Sequence, residues 1–210
     1  MGENAFGVAV ADASGHGLLA ALLVRDVYVG LRMGIGNDMR IVPTIERLNR
    51  ILNKSRLTTK FISLFYGEFE GEGEIIYVNA GHPAPLLLRA SGGGWETLES
   101  TGMVLGPSPT ASYGRRAAKM APKDLVVLYS DGIVEAVDPK GREFGVERLK
   151  RLVSELRKRP AREIAERIMA AVEAWDDGHP ADDDRTVVVI RRGAKPHPSP
   201  SGSPRAPRPA

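Results

Sequence analysis

The chain has 210 residues, 42% of them hydrophobic, which suits one globular domain with a substantial core. It contains no cysteine, so disulfides, zinc thiolate sites and every cysteine-nucleophile mechanism are excluded. The net charge of +3 arises at one end: residues 191–210 hold Arg191, Arg192, Lys195, Arg205 and Arg208 and no acid, and without them 24 basic residues face 26 acidic ones, so the body is no basic platform for nucleic acid.

In chain order, Phe6 to Ala11 is a short, Val-rich run bounded by turn residues, which predicts a buried strand that ends at Asp12-Ala13-Ser14-Gly15-His16-Gly17. Leu18 to Met33 is almost continuously apolar and predicts a largely buried helix whose N-terminus lies beside Asp12. Pro43 opens a second helix with an apolar stripe of Ile45, Leu48, Ile51 and Leu52. Phe61, Phe65 and Phe69 recur in a strand-like pattern over 60–69, and Gly71-Glu72-Gly73 turns the chain into a second strand over 74–78, an antiparallel hairpin. A further strand over 85–89 follows Asn79-Ala80-Gly81-His82-Pro83, with Ser91-Gly92-Gly93-Gly94 as the next turn.

Leu125 to Tyr129 is again a short apolar run, closed by Ser130-Asp131-Gly132. Amphipathic helices are expected near 146–157 and, after Pro160, near 161–175. The last strand is Thr186 to Ile190, preceded by Asp182-Asp183-Asp184-Arg185. Helices, antiparallel strands, more helices and a closing strand predict a layered α+β domain. The Pro-, Arg- and Ser-rich end cannot bury apolar area and is expected to be a disordered tail over 193–210. No run of about 18 apolar residues occurs, so no membrane span is expected and the cytoplasm is the expected compartment.

Asp12, Asp131 and Asp183 each stand at the end of a predicted strand. Any one alone reads as a strand-end or turn residue, since aspartate bonds its own backbone there. Three carboxylates meeting at one sheet edge are costly unless a cation neutralises them, and an all-oxygen ligand set selects a hard ion such as magnesium or manganese. Small residues beside each carboxylate allow close backbone approach.

Together these segments resemble the SpoIIE/RsbU-type branch of the protein phosphatase 2C-like, metal-dependent (PPM) serine/threonine phosphatases, over about Phe6 to Ile190. The resemblance is carried by Asp12-Ala13-Ser14-Gly15-His16-Gly17, Tyr77-Val78-Asn79-Ala80-Gly81-His82-Pro83-Ala84-Pro85, Leu128-Tyr129-Ser130-Asp131-Gly132 with Phe144-Gly145 after it, and Asp183-Asp184-Arg185-Thr186, in that order. It implies a sandwich of two antiparallel β-sheets flanked by helices, with a site for two manganese or magnesium ions at one edge. Asp12, Asp131 and Asp183 would be ligands through their carboxylates and Ala13 through its carbonyl, with the three aspartates as the catalytic set. Asp184 reads as a neighbour, and His16 and His82 as structural or site-lining residues.

The resemblance also implies phosphoserine or phosphothreonine hydrolysis on a bacterial regulator of the anti-anti-sigma-factor (STAS-domain) kind, by two-metal activation of water. The branch carries a Gly-Gly-Asp strand before the Asp12 segment, and its aspartate is a further ligand. The expectation is therefore a PPM-type domain over 1–192, N-terminally truncated, without its first strand and without an upstream sensor domain, Glu3 being a poor substitute for the lost ligand. Such a chain would be impaired in catalysis, and its bared strand edge would invite association, a homodimer included. The alternative is a non-catalytic relative that binds a partner without turnover, and nucleic-acid binding through the tail ranks last.

Overall fold

A computed structural model describes residues 5–15, 17–36, 40–55, 61–92, 94–178 and 183–193. The chain begins with β1 (Phe6–Ala13), α1 (Leu18–Gly36) and α2 (Ile41–Lys54). The hairpin β2 (Ile62–Phe69) and β3 (Glu74–Ala80) follows, then the short strands β4 (Leu86–Leu88), β5 (Trp95–Thr97) and β6 (Arg116–Lys119). The remainder is β7 (Leu125–Tyr129), the single turn α3 (Asp131–Val134), α4 (Val146–Leu156), α5 (Ala161–Trp175) and β8 (Val187–Arg191). Glu3, His16, Asp182 and residues 194–210, on which expectations were placed, lie outside the described residues.

The strands form two antiparallel sheets, ordered β1-β2-β3-β6 and β5-β4-β7-β8. Because strand side chains alternate in direction, one strand serves two cores. In β7, Leu125, Val127 and Tyr129 pack against α4 and α5, while Val126 and Leu128 turn inward to meet the other sheet. In β2, Ile62, Leu64 and Tyr66 pack under α1 and α2, while Phe65 and Phe69 face the second sheet. The result is four layers, helix pair, sheet, sheet and helix pair. Strands buried on both faces explain why these runs look apolar rather than alternating. Each fully buried Leu, Ile or Val contributes about 1.5–3 kcal/mol.

β1 is not the buried strand expected, since Val10 alone of it is buried and Phe6 is 50% exposed; two further sequence expectations need correction. α1 is not largely buried: Leu18 is 75% and Tyr28 62% exposed, and Val24, Val29 and Met33 also face outward. The helix packs through Leu23, Val27 and Leu31, and at Gly30 and Gly34 it presses against Leu48 and Thr44 of α2 with no room for a Cβ. An unbroken apolar run has no polar face from which its buried side can be read. Second, β5, β6 and α3 were not foreseen: β5 is three residues long, and Arg116-Ala117-Ala118-Lys119 has little β propensity of its own.

Candidate metal centre

Asp12 is the penultimate residue of β1, so the first sheet delivers it. Asp131 stands two residues after the end of β7 and opens α3, and Asp183 sits in the segment before β8, so the second sheet delivers both. Each offers a carboxylate oxygen, and the three oxygens lie within 4.8 Å of one another. Asp12 and Asp131 are half-buried and Asp183 is exposed. Asp12 and Asp183 line one open cleft of about 690 Å³, into which Ala13, Gly15, Gly17 and Ala21 also face. Its walls are mostly small side chains, and the first turn of α1 forms one of them, as expected for a helix start beside Asp12.

Local bonding fixes each arm. Ser14 exchanges two hydrogen bonds with Phe61: its N–H donates to Phe61 O at 2.9 Å, and its Oγ accepts from Phe61 N at 2.9 Å. Gly15 and Gly17 have positive φ, 78° and 86°, the left-handed region that favours glycine, and turn the chain from β1 into α1. Asp131 Oδ1 accepts from Gly132 N at 2.9 Å, and Asp183 Oδ1 from Asp184 N at 2.8 Å. A Cβ on Gly132 would stand 2.7 Å from the Asp184 carbonyl oxygen, so only glycine lets the two acidic segments approach this closely.

The electrostatics are those of crowded like charges. Asp12 is pushed up from 3.8 to about 6, first by burial, then by the charges of Asp131 and Asp183, with Asp184 adding least and the Ala13 backbone opposing. The folded chain thus binds this proton more tightly than the unfolded chain, so without a cation the contribution of Asp12 to stability is fully present at low pH and is lost as pH rises from about 4 to about 6. In D12N that slope is expected to disappear. Metal-free melting curves of D12N and the native chain should coincide near pH 4, with D12N the more stable above pH 6; equal melting temperatures at pH 7 would contradict the repulsion.

The donor set fits a hard divalent ion: three carboxylate oxygens converge, and no histidine nitrogen joins them among the described residues. His82 is buried, its Nδ1 2.9 Å from Ser63 Oγ, and burial pushes it down to about 4, with the Tyr129 backbone acting weakly the other way. It is a neutral packing residue behind Asp12, since Ser63 is the residue paired with Asp12 across β1 and β2. Asp184 lines the cleft without joining the three. Sequence reading passed over Ser130, whose Oγ donates to Asp184 O at 2.8 Å and accepts from Thr186 N at 2.9 Å. A hydroxyl directly before Asp131 was the available signal.

The family model for stage II sporulation protein E (SpoIIE) matches residues 2–193. The chain belongs to the SpoIIE family. It is 26% identical over 193 residues to phosphoserine phosphatase RsbU of Bacillus subtilis, covering 90% of this chain and 56% of that protein. Among solved structures, the RsbU and RsbW domains of Rv1364c from Mycobacterium tuberculosis superpose with a TM-score of 0.78 at 24% identity, covering 93% of this chain and 53% of that one. The PP2C phosphatase domain of SpoIIE from Bacillus subtilis, solved with a fragment of its regulatory domain, gives 0.76 at 21% identity, covering 90% and 55%. The two-sheet sandwich flanked by helices is thus the PP2C-like fold of the SpoIIE/RsbU branch. The chain spans about half or less of the length of the curated relatives it matches. No helix among the described residues is long and apolar enough to cross a membrane.

Proposed function

We propose that this chain is a metal-dependent phosphoprotein phosphatase, acting in the cytoplasm on phosphoserine or phosphothreonine of a regulatory protein of the anti-anti-sigma-factor kind. The observation that carries the proposal is the meeting of Asp12, Asp131 and Asp183 at one rim of the sandwich. Membership of a family whose relative RsbU is named a phosphoserine phosphatase supports the reaction class. In this reading residues 1–192 are the phosphatase domain and 193–210 a tail.

Asp12, Asp131 and Asp183, with the Ala13 carbonyl beside them, would hold manganese or magnesium. Two such ions, when bound, supply neutralised phosphate oxygens and an activated water, which fits a chain without a cysteine nucleophile. The protein's own contribution is placement. The small residues Gly15, Gly17, Ala20 and Ala21 leave the cluster open to a phosphorylated side chain borne on a folded partner.

The charge count favours a second reading, that of an impaired enzyme. Among the described residues three carboxylates carry −3 against +4 for two divalent ions, and ions held close together repel unless anionic ligands offset them. β1 is the outer strand of its sheet among the described residues, so a further strand can pair there. Manganese-dependent hydrolysis of a phosphoserine protein or a chromogenic phosphate ester tests both readings. The chain is expected to turn over slowly, and adding a strand ending in Gly-Gly-Asp before residue 1 is expected to raise manganese affinity and turnover together. No manganese-dependent hydrolysis in either form would leave a binding module instead.

A further inference from the structure

Asp183 reaches the cluster from a segment without regular structure, and it is the most exposed of the three aspartates. Its neighbours Asp12 and Asp131 repel it, so something must hold the segment in. On the β7 side, Ser130 Oγ bonds both Asp184 O and Thr186 N, and Gly132 packs against the Asp183 and Asp184 carbonyls.

The other side is held by an ion pair. Arg185 Nη2 lies 2.5 Å from Asp176 Oδ2, with side chains only 12% and 5% exposed. Asp176 is the C-cap of α5: its N–H donates to Val172 O at 3.1 Å, and its Oδ1 accepts from Gly178 N at 3.0 Å. α5 is seated on the second sheet through the fully buried Ile164, Ile168 and Val172. Next to Asp176, Trp175 donates from Nε1 to Arg142 O at 3.0 Å and lies under the Arg148 guanidinium at 4.1 Å. The end of α5 is therefore a firm anchor.

Apolar residues of similar size stabilise a protein as well as a buried ion pair or better, because desolvating two charges offsets most of their attraction. Stability alone thus gives no reason for this pair. Placement does: apolar side chains can pack in several arrangements, whereas the Nη2–Oδ2 contact ties one atom of the acidic segment to one atom at the end of α5. We propose that Arg185 and Asp176 are a positioning pair that holds Asp183 against the repulsion of Asp12 and Asp131, by tying the acidic segment to the end of α5. The proposal rests on the reading of the cluster as a metal centre.

The test titrates manganese into the native chain, D176N, R185K and the double variant R185M/D176L by calorimetry, and follows Thr186 amide exchange without metal. The double variant is expected to melt within about 4 °C of the native chain. It should bind manganese about tenfold more weakly, the size of effect seen when an outer partner of a metal ligand is lost. Thr186 exchange should accelerate by a similar factor. R185K, which keeps the charge, should stay within about threefold of native affinity. D176N, which keeps the size and the cap to Gly178, should lose more than R185K, and it decides the question if the double variant does not fold. A lowered melting temperature with native manganese affinity and native Thr186 exchange would overturn the proposal. If the native chain binds no manganese, the metal-centre reading fails, and Thr186 exchange still decides whether the pair fixes the segment.

Discussion

Asp131→Asn is expected to abolish manganese-dependent phosphatase activity while raising the stability of the metal-free protein. The substitution is close to isosteric, and the Asn side-chain oxygen can still accept from Gly132 N, so the turn into α3 survives. What is lost is one negative charge from a cluster whose oxygens lie within 4.8 Å. Changes to outer partners of metal ligands weaken binding about 10- to 100-fold, and a ligand should exceed that range, so a loss of roughly a hundredfold or more in turnover at limiting metal is expected. In the absence of metal the same change removes the largest of the three carboxylate charges that, after burial, push Asp12 up to about 6. Asp12 should then titrate closer to its ordinary value, and D131N should melt above the native chain at pH 7. Activity at limiting manganese and melting temperature without it form one experiment, and native turnover in D131N would remove Asp131 from the ligand set.

Gly132→Ala is expected to damage the site while removing no carboxylate. The added Cβ would meet the Asp184 carbonyl oxygen at 2.7 Å, and this obstacle is backbone, which cannot rotate away as a side chain does. Either α3 or the 183–186 segment must move, separating Asp131 from Asp183. Overpacking of this kind costs about 1–3 kcal/mol in stability. Displacement of a catalytic arrangement by about 1 Å costs about a hundredfold in rate. G132A should therefore lose far more activity than its modest drop in melting temperature suggests, with the loss partly recovered at high manganese. Full activity with a native melting temperature would mean that the segment yields without consequence.

Much of the site was legible because it depends on where strands stop. The apolar runs before Asp12 and Asp131 are bounded by glycine and serine, and their ends can be read to within a residue or two. Two-sided burial made the β7 run conspicuous, whereas the β1 run, in which Val10 alone is buried, stood out only by its valines and the turn that ends it. What holds the arms in place was not legible. Ser130 acts through partners that come near only after β7 and β8 have paired, reaching 54 positions along the chain to Asp184, and Arg185 pairs with Asp176 across the turn that follows α5. Asp176 caps a helix, a local role that conceals its distant one. The outward face of α1 was hidden for the opposite reason, since a sequence apolar on every side does not say which side packs.

The three aspartates do not belong to one sheet. Asp12 comes from β1 in the first, and Asp131 and Asp183 flank β7 and β8 in the second. Between them the sandwich is held by apolar packing such as Phe65 and Tyr77 against Leu87, Val126 and Leu128, which is strong but not directional. In the proposed reading, a cation at the rim would bond to both halves and become a cross-brace that resists sliding of one sheet over the other. At a free concentration a hundred times its dissociation constant, such an ion adds about 2.7 kcal/mol to the folded state, because the unfolded chain has no arrangement of these carboxylates to offer it. In that reading the ion needed for chemistry would by the same bonds gauge whether the two halves are in register, and a chain whose sheets had slipped would surrender its metal before it lost its fold.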